Sequence, residues 1–208
     1  MPRKTKQEAM ETRAKLLNAA LDVFSEKGYS RTTLTDIAKR IGMTRGAVYW
    51  HFKDRQELLM EIMDAMFAKE QELVTEKVPH VSTLDDLKDY LVARAQVILE
   101  NDDCRKFIFF LALQMEWTTE TLAFTRQKLE QLQNAPFREI ERVLTKARQE
   151  GVLREDTDIR QLEDILLGVF KGLVMHHLSG FASSDLPACV EMAVDTILRS
   201  NRAPEPCK

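Results

Sequence analysis

The sequence predicts an all-α protein, with an N-terminal three-helix helix-turn-helix domain and a larger C-terminal helical domain. Three observations carry the helical class. Glycine and proline are scarce, seven and six in 208 residues, so the chain has few places to turn. Apolar residues recur three and four apart over long segments. No stretch alternates with period two long enough to build a sheet.

Each element follows in order. In "ETRAKLLNAALDVFSEKG", Leu16, Leu17, Ala20, Leu21 and Phe24 share one helical face, and Gly28 closes the helix. "YSRTT" is a short loop with N-cap candidates at Thr32 and Thr33. "LTDIAKRI" is a two-turn helix stopped by Gly42, and "TRGAVYWHF" is another, capped by Thr44. Asp54 and Glu57 have capping-box spacing and open a long helix that Pro79 breaks. Further helices are expected over 83–100 (capped by Ser82 or Thr83), 103–117, 119–150, 158–179 and 186–200, with a kink at Pro136.

The bulk numbers narrow the class. The length suits one large domain or two small ones. No run of 18 apolar residues marks a membrane span, and the polar start "MPRKTKQEAMETR" has no apolar core of a secretory signal. Cys104, Cys189 and Cys207 are odd in number and far apart, which suits reduced thiols and a cytoplasmic setting. Charge is uneven: residues 1–55 hold twelve Lys/Arg against six Asp/Glu, whereas 56–208 hold eighteen against twenty-seven. A basic end on an acidic body points to a polyanionic partner for that end alone.

The stretch 34–52 explains the basic end. Ala38 gives the small contact that two steeply crossed helices need, and Gly42 tolerates the positive φ of the tight turn. Leu34, Ile37, Ile41 and Val48 face a common core. Thr44, Arg45, Gly46, Tyr49 and His51 are expected to point outward, and Trp50 and Phe52 to pack inward. The second helix of such a unit lies in the major groove with its first residues at base edges. Arg45 has the fork that reaches guanine O6 and N7, while Gly46 and Ala47 allow close approach, Ala47 beside a thymine methyl. Tyr49, His51, Lys53 and Arg55 offer donors to phosphate, as do Thr33 and Thr35 at the preceding helix start. A basic arm, Arg3, Lys4 and Lys6, is expected either to add nonspecific attraction to double-stranded DNA or to reach a minor groove.

Residues 11–58 resemble the N-terminal domain of the TetR family of transcriptional regulators, and "TLTDIAKRIGMTRGAVYWHFKDRQEL" is similar to the family signature with hardly a departure. The opening "RKTKQEAMETR" resembles the AcrR-like branch, repressors of multidrug efflux operons. The rest of the chain matches in helix layout, with echoes in "MEWTTE" and "GVFKGL". The resemblance implies an all-helical homodimer, with a DNA-binding domain at 1–53 (helix-turn-helix about 33–52) and a ligand-binding and dimerisation domain at 54–208. It implies pairing through the last two helices, about 158–179 and 186–200, as a four-helix bundle. Ile165, Leu166, Val169, Phe170, Leu173 and Val174 on one, and Val190, Met192, Ala193, Ile197 and Leu198 on the other, serve either that interface or an internal core. Gly168 and Gly172 allow close approach.

The resemblance also implies an inducer pocket in the body. Its methionines and aromatics suit a small hydrophobic ligand, since they re-pack around different shapes. Most of that set, including Phe137, is plain core. Met66, Phe67, Phe110, Gln114, Trp117, Phe124, Phe170 and His176 are the expected lining, and Glu116 is the carboxylate for a cationic inducer. His176 and His177 are poor joint metal ligands, because adjacent helical residues diverge by about 100°. No nucleophile–base set, phosphate loop, cofactor motif or metal spacing appears, so neither enzyme nor metalloprotein is expected. The alternative is an architectural or otherwise ligand-independent DNA-binding protein, against which the size of the 54–208 body argues.

Overall fold

The structure is a computed structural model that describes residues 6–204, with only the backbone described for residues 6, 127 and 129–138. Arg3 and Lys4 lie outside the described residues, as do the side chains of Lys6, Pro136 and Phe137; the backbone is helical through Pro136, where a kink is expected from the sequence. Among the described residues the chain forms α1 (Lys6–Lys27), α2 (Leu34–Arg40), α3 (Arg45–His51), α4 (Arg55–Lys77), α5 (Leu84–Glu100), α6 (Asp102–Phe109), a π segment (Phe110–Gln114), α7 (Thr119–Gln149), α8 (Ile159–Leu178) and α9 (Leu186–Ser200). Their only extended pairing is a single bridge, Leu153 to Arg202. The fold is all-α.

The helix starts are those that side-chain caps dictate. Thr33 caps α2 reciprocally: its hydroxyl accepts from Asp36 N at 3.1 Å, and Asp36 accepts from Thr33 N at 2.9 Å. Thr83 and Asp86 repeat the device on α5. At α4, Asp54 accepts from Glu57 N at 2.8 Å, while Glu57 reaches one residue further back, to Lys53 N at 2.7 Å. Thr32 is no cap: it is buried, its hydroxyl donating to Gly28 O at 2.8 Å.

One expected helix, 103–117, is interrupted. The Met115 amide donates to Phe110 O at 2.8 Å, one π turn, and Met115 then leaves helical geometry. In an α-helix, side chains five apart diverge by about 140°. The wider turn lets Phe110 and Met115 both be buried.

Two compact units result. Met1–Ala68 with Asp103–Lys128 form one, and Lys69–Asp102 with Leu129–Lys208 form the other. In the first, Leu16, Ala20, Phe24, Ile37, Val48, Phe52, Leu58 and Phe110 are almost fully buried. In the second, α9 packs on α5 and α8 around Leu87, Leu91, Ile98, Leu166, Val190 and Leu198. The expected division at Lys53–Asp54 does not coincide with the border of these packing units.

Asp36 makes the α2 cap sensitive to acid. The Thr33 hydroxyl and the Lys27 ammonium, both hydrogen-bonded to it, hold its carboxyl well below the usual carboxylate range. A depressed native pKa stabilises at neutral pH, and that contribution is lost as pH falls below about 4. Asp36→Asn is therefore expected to lower stability by about 0.5–1 kcal/mol at pH 7. Urea unfolding of both chains should show the gap closing as pH drops through 4 and below. A gap that stays constant with pH assigns the loss to the side chain's shape, not its charge.

Candidate nucleic-acid interface

α3 has seven residues, too few to stand alone in water. Its neighbours hold it. α2 packs on α1, and α3 on α2. The turn between α2 and α3 passes through Gly42 at φ +67, and the Met43 amide returns to Ala38 O at 2.9 Å. Val48 and Phe52, one turn apart, are 0% and 1% exposed. The far end of α3 is tied down by an arginine 38 residues earlier. Arg13 donates to the His51 carbonyl at 2.8 Å, grips both oxygens of Glu61 on α4, and lies 4.4 Å over the Phe52 ring. That satisfies one of the carbonyls a helix C-terminus leaves open.

With Val48 and Phe52 inward, the opposite arc of α3 faces solvent. Arg45 and Gly46 are exposed, Tyr49 is 45% exposed and Trp50 74%. Arg45 donates to the Tyr49 hydroxyl at 3.3 Å, with its guanidinium 5.1 Å from that ring, so the two form one surface group. Thr44 accepts from Ala47 N at 3.3 Å. A Cβ added at Gly46 meets open space. Thr33 and Lys53 are exposed nearby in sequence, and Ala47 and Thr35 are half-buried.

Three expectations change here. Trp50, expected inside, is outside; its place two residues from Val48 on a 100° helix gave the signal. His51, expected to point outward, is half-buried, its ring edge-on to Trp50 at 4.7 Å and tilted against Phe52. Arg55, expected on phosphate, turns inward. It donates to the carbonyls of Tyr29 (2.8 Å), Ser30 (2.8 Å) and Thr32 (3.1 Å) and stacks on Tyr29 at 4.2 Å. The loop turns three carbonyls towards one guanidinium nitrogen of Arg55.

The expected ligand residues divide between the units. In the first unit, Met66 is buried, Phe67 meets Phe107 edge-on at 5.2 Å, and Phe110 stacks on Phe24 at 5.5 Å. Phe124 tilts against Tyr29 at 6.1 Å, and the Trp117 indole donates to Leu111 O at 3.2 Å. The Gln114 side-chain oxygen is buried without a hydrogen-bond partner among the described residues. Glu116, expected as the carboxylate for a cationic inducer, is half-buried and accepts from Ser30 N at 3.2 Å, and a Cβ on Gly28 would stand 3.1 Å from its other oxygen. Phe170 and His176 belong to the second unit, Phe170 buried and His176 exposed and stacked on Phe181 at 6.3 Å. Among the described residues, no group of three or more His, Cys, Asp or Glu could hold a metal.

Two family descriptions match the chain. "Bacterial regulatory proteins, tetR family" covers residues 16–62, and "MAATS-type transcriptional repressor, C-terminal region" covers 82–202. The regulator AcrR of Shigella flexneri is 34% identical over 189 residues, which are 89% of this chain and 87% of AcrR. The chain belongs to the TetR family of transcriptional regulators. Among TetR-type structures, that of NalD, the secondary repressor of the MexAB-OprM multidrug efflux pump in Pseudomonas aeruginosa, is 25% identical (TM-score 0.79, 95% of this chain and 100% of NalD). The triclosan complex of SmeT, repressor of the Stenotrophomonas maltophilia efflux pump SmeDEF, is 28% identical (TM-score 0.74, 95% and 99%).

As a TetR-family member the chain is a DNA-binding transcriptional regulator and not an enzyme. Regulators of this family bind operator DNA and small molecules, and dimerise. No described helix is long and apolar enough to cross a membrane. Within the TetR head, Arg55→Ala is expected to cost about 1.5–3 kcal/mol, the value of charged hydrogen bonds to carbonyls. Thermal melts should show the loss, while the dependence of operator affinity on salt stays that of the unmodified chain. An unchanged melt with a salt slope reduced by about one would return Arg55 to the phosphate backbone.

Proposed function

We propose that the chain is a repressor of a multidrug efflux operon that binds a pseudo-palindromic operator as a homodimer and is released by a hydrophobic or cationic small molecule. The exposed face of α3 carries the reading. Gly46 costs a helix about 0.5–1 kcal/mol relative to alanine, yet among the described residues nothing lies within 4 Å of a Cβ built there. A surface approaching from outside, such as a base edge, accounts for it. Arg45 reads bases, and Thr44, Tyr49 and Lys53 hold phosphate. Thr33, with its hydroxyl already capping α2, and the half-buried Thr35 and His51 are backbone contacts of second rank. Trp50 joins the face. Residues 1–53 act as reader, and 54–208 as the ligand-binding and pairing part. The efflux assignment rests on likeness to NalD and SmeT, and the ligand class on the SmeT–triclosan complex.

The same reasoning supports pairing through α8 and α9. Leu162, Leu166, Phe170 and Val174 of α8 face the core of their own unit. Ile165, Gly168, Gly172 and Met175 lie along one other face and are exposed, and so is Met192 on α9. A Cβ at either glycine meets nothing within 4 Å. A second copy fills that space and sets the reading helices about 34–36 Å apart, one DNA turn.

The test is a titration of the full chain onto DNA from upstream of its own gene, with and without triclosan, dyes and bile acids. If about six to ten phosphates are neutralised, affinity falls by about a thousandfold or more between 50 and 200 mM salt. Release by a compound corresponds to a coupling of about 1–3 kcal/mol. Binding no tighter than to random DNA would sink the operator assignment. Tight binding that no compound loosens would leave a repressor without the proposed ligand control.

A further inference from the structure

In the second unit an arginine and a glutamate are buried together. Arg94 on α5 is 8% exposed and Glu70 on α4 4%. Arg94 Nε donates to Glu70 Oε1 at 2.9 Å. The guanidinium carbon lies 5.9 Å from the Tyr90 ring centre and 5.6 Å from that of Phe170. A carboxylate with two aromatic faces is how proteins recognise an organic cation. Here the cation is the chain's own. A second positive group is close: burial first, and then the charge of Arg94, hold the Lys171 ammonium below the usual lysine range.

Space for a ligand adjoins this group. A hollow of about 430 Å³ is lined by Gln71, Thr75, Val78, Val81, Tyr90 and Arg142. Tyr90 belongs to both features, its hydroxyl donating to Gln71 Oε1 at 3.4 Å, and Gln71 directly follows Glu70. The volume is that of a site for a drug-sized molecule. A buried ion pair contributes little net stability, because desolvation offsets the attraction, so stability alone gives no reason for the rings and the hollow.

We propose that Glu70, Tyr90 and Phe170 form a site for an organic cation, that Arg94 occupies it in the ligand-free chain, and that a cation entering through the hollow acts by displacing Arg94 from Glu70. This rests on the reading as a ligand-responsive repressor, and it places the recognising carboxylate at Glu70 instead of Glu116, which is engaged with Ser30. Arg94 is a tethered competitor that sets how strongly a cation must bind.

The experiment is calorimetric titration of the full dimeric chain with tetraphenylphosphonium and with neutral triphenylphosphine oxide. Arg94→Ala is expected to bind the cation at least about tenfold tighter than the unmodified chain, with no matching gain for the neutral compound. Adding Glu70→Gln to Arg94→Ala should abolish the gain. If Arg94→Ala does not fold, Arg94→Met replaces it, with the same outcomes expected. No gain, an equal gain for both compounds, or a gain that survives Glu70→Gln would each overturn the proposal. Operator binding by the unmodified chain is measured on the same preparation. Its absence would overturn the repressor reading, while the cation titration decides the site independently.

Discussion

Arg45→Ala is expected to weaken operator binding by about 1–3 kcal/mol for each bidentate arginine–base pair it removes, roughly 5- to 150-fold, and to relax sequence preference at one position of each half-site. The side chain is exposed and, among the described residues, touches only Tyr49, through the hydroxyl and the ring face. Its removal therefore leaves the core intact, and the melting temperature should not move. Tyr49→Phe keeps the ring but removes the hydroxyl that Arg45 touches, so it should reproduce only part of the effect. Gel-shift titrations against the operator and a scrambled duplex separate the two. An Arg45→Ala chain that discriminates the two duplexes as well as before would show that another residue reads the base.

The second large effect concerns stability. Phe24 is fully buried, stacked on Phe110 at 5.5 Å and 14° and tilted against Tyr29 at 5.5 Å. Phe24→Ala removes both ring pairings and leaves a void that neighbouring helices cannot close. A destabilisation of about 3–5 kcal/mol is expected, against a total of about 5–15 kcal/mol for a folded domain. For a chain of this size that lowers Tm by roughly 6–20 °C. Calorimetry checks it, and a drop of only a degree or two would mean that the site collapses around the missing ring.

The helices were legible because their punctuation is local. Thr33, Thr44, Thr83, Asp158 and Asp185 each accept from the amide three residues on, and each opens the helix its position implies. Gly42 and Pro79 stop helices for reasons that need no tertiary partner. The break after Phe110 was not legible, since it serves the burial of Phe110 and Met115 together, and burial is decided by what lies opposite. The exposed face of α3 was legible in part. The outward positions of Arg45, Gly46 and Tyr49 follow from helical phase, whereas Trp50, expected inward, is exposed. The partners of Arg55 and Glu116 were not legible, for one common reason. Each has a backbone partner from a distant loop, Tyr29–Thr32 for one and Ser30 for the other. No residue spacing along the chain announces such a pairing. Arg13 illustrates the same limit, joining α1 to the end of α3 and to Glu61.

The exposed arc of α3 separates address from architecture. Val48, Phe52 and the Arg13 clamp fix where the helix lies, while Arg45, Gly46, Tyr49 and Trp50 are exposed. On the proposed reading, those four positions form a rewritable label. Duplicated copies of such a gene can drift to new operators by exchanging surface residues, without passing through an unfolded ancestor. On the same reading, a change at Arg13 would not retarget the protein; it would loosen the seat of the whole helix.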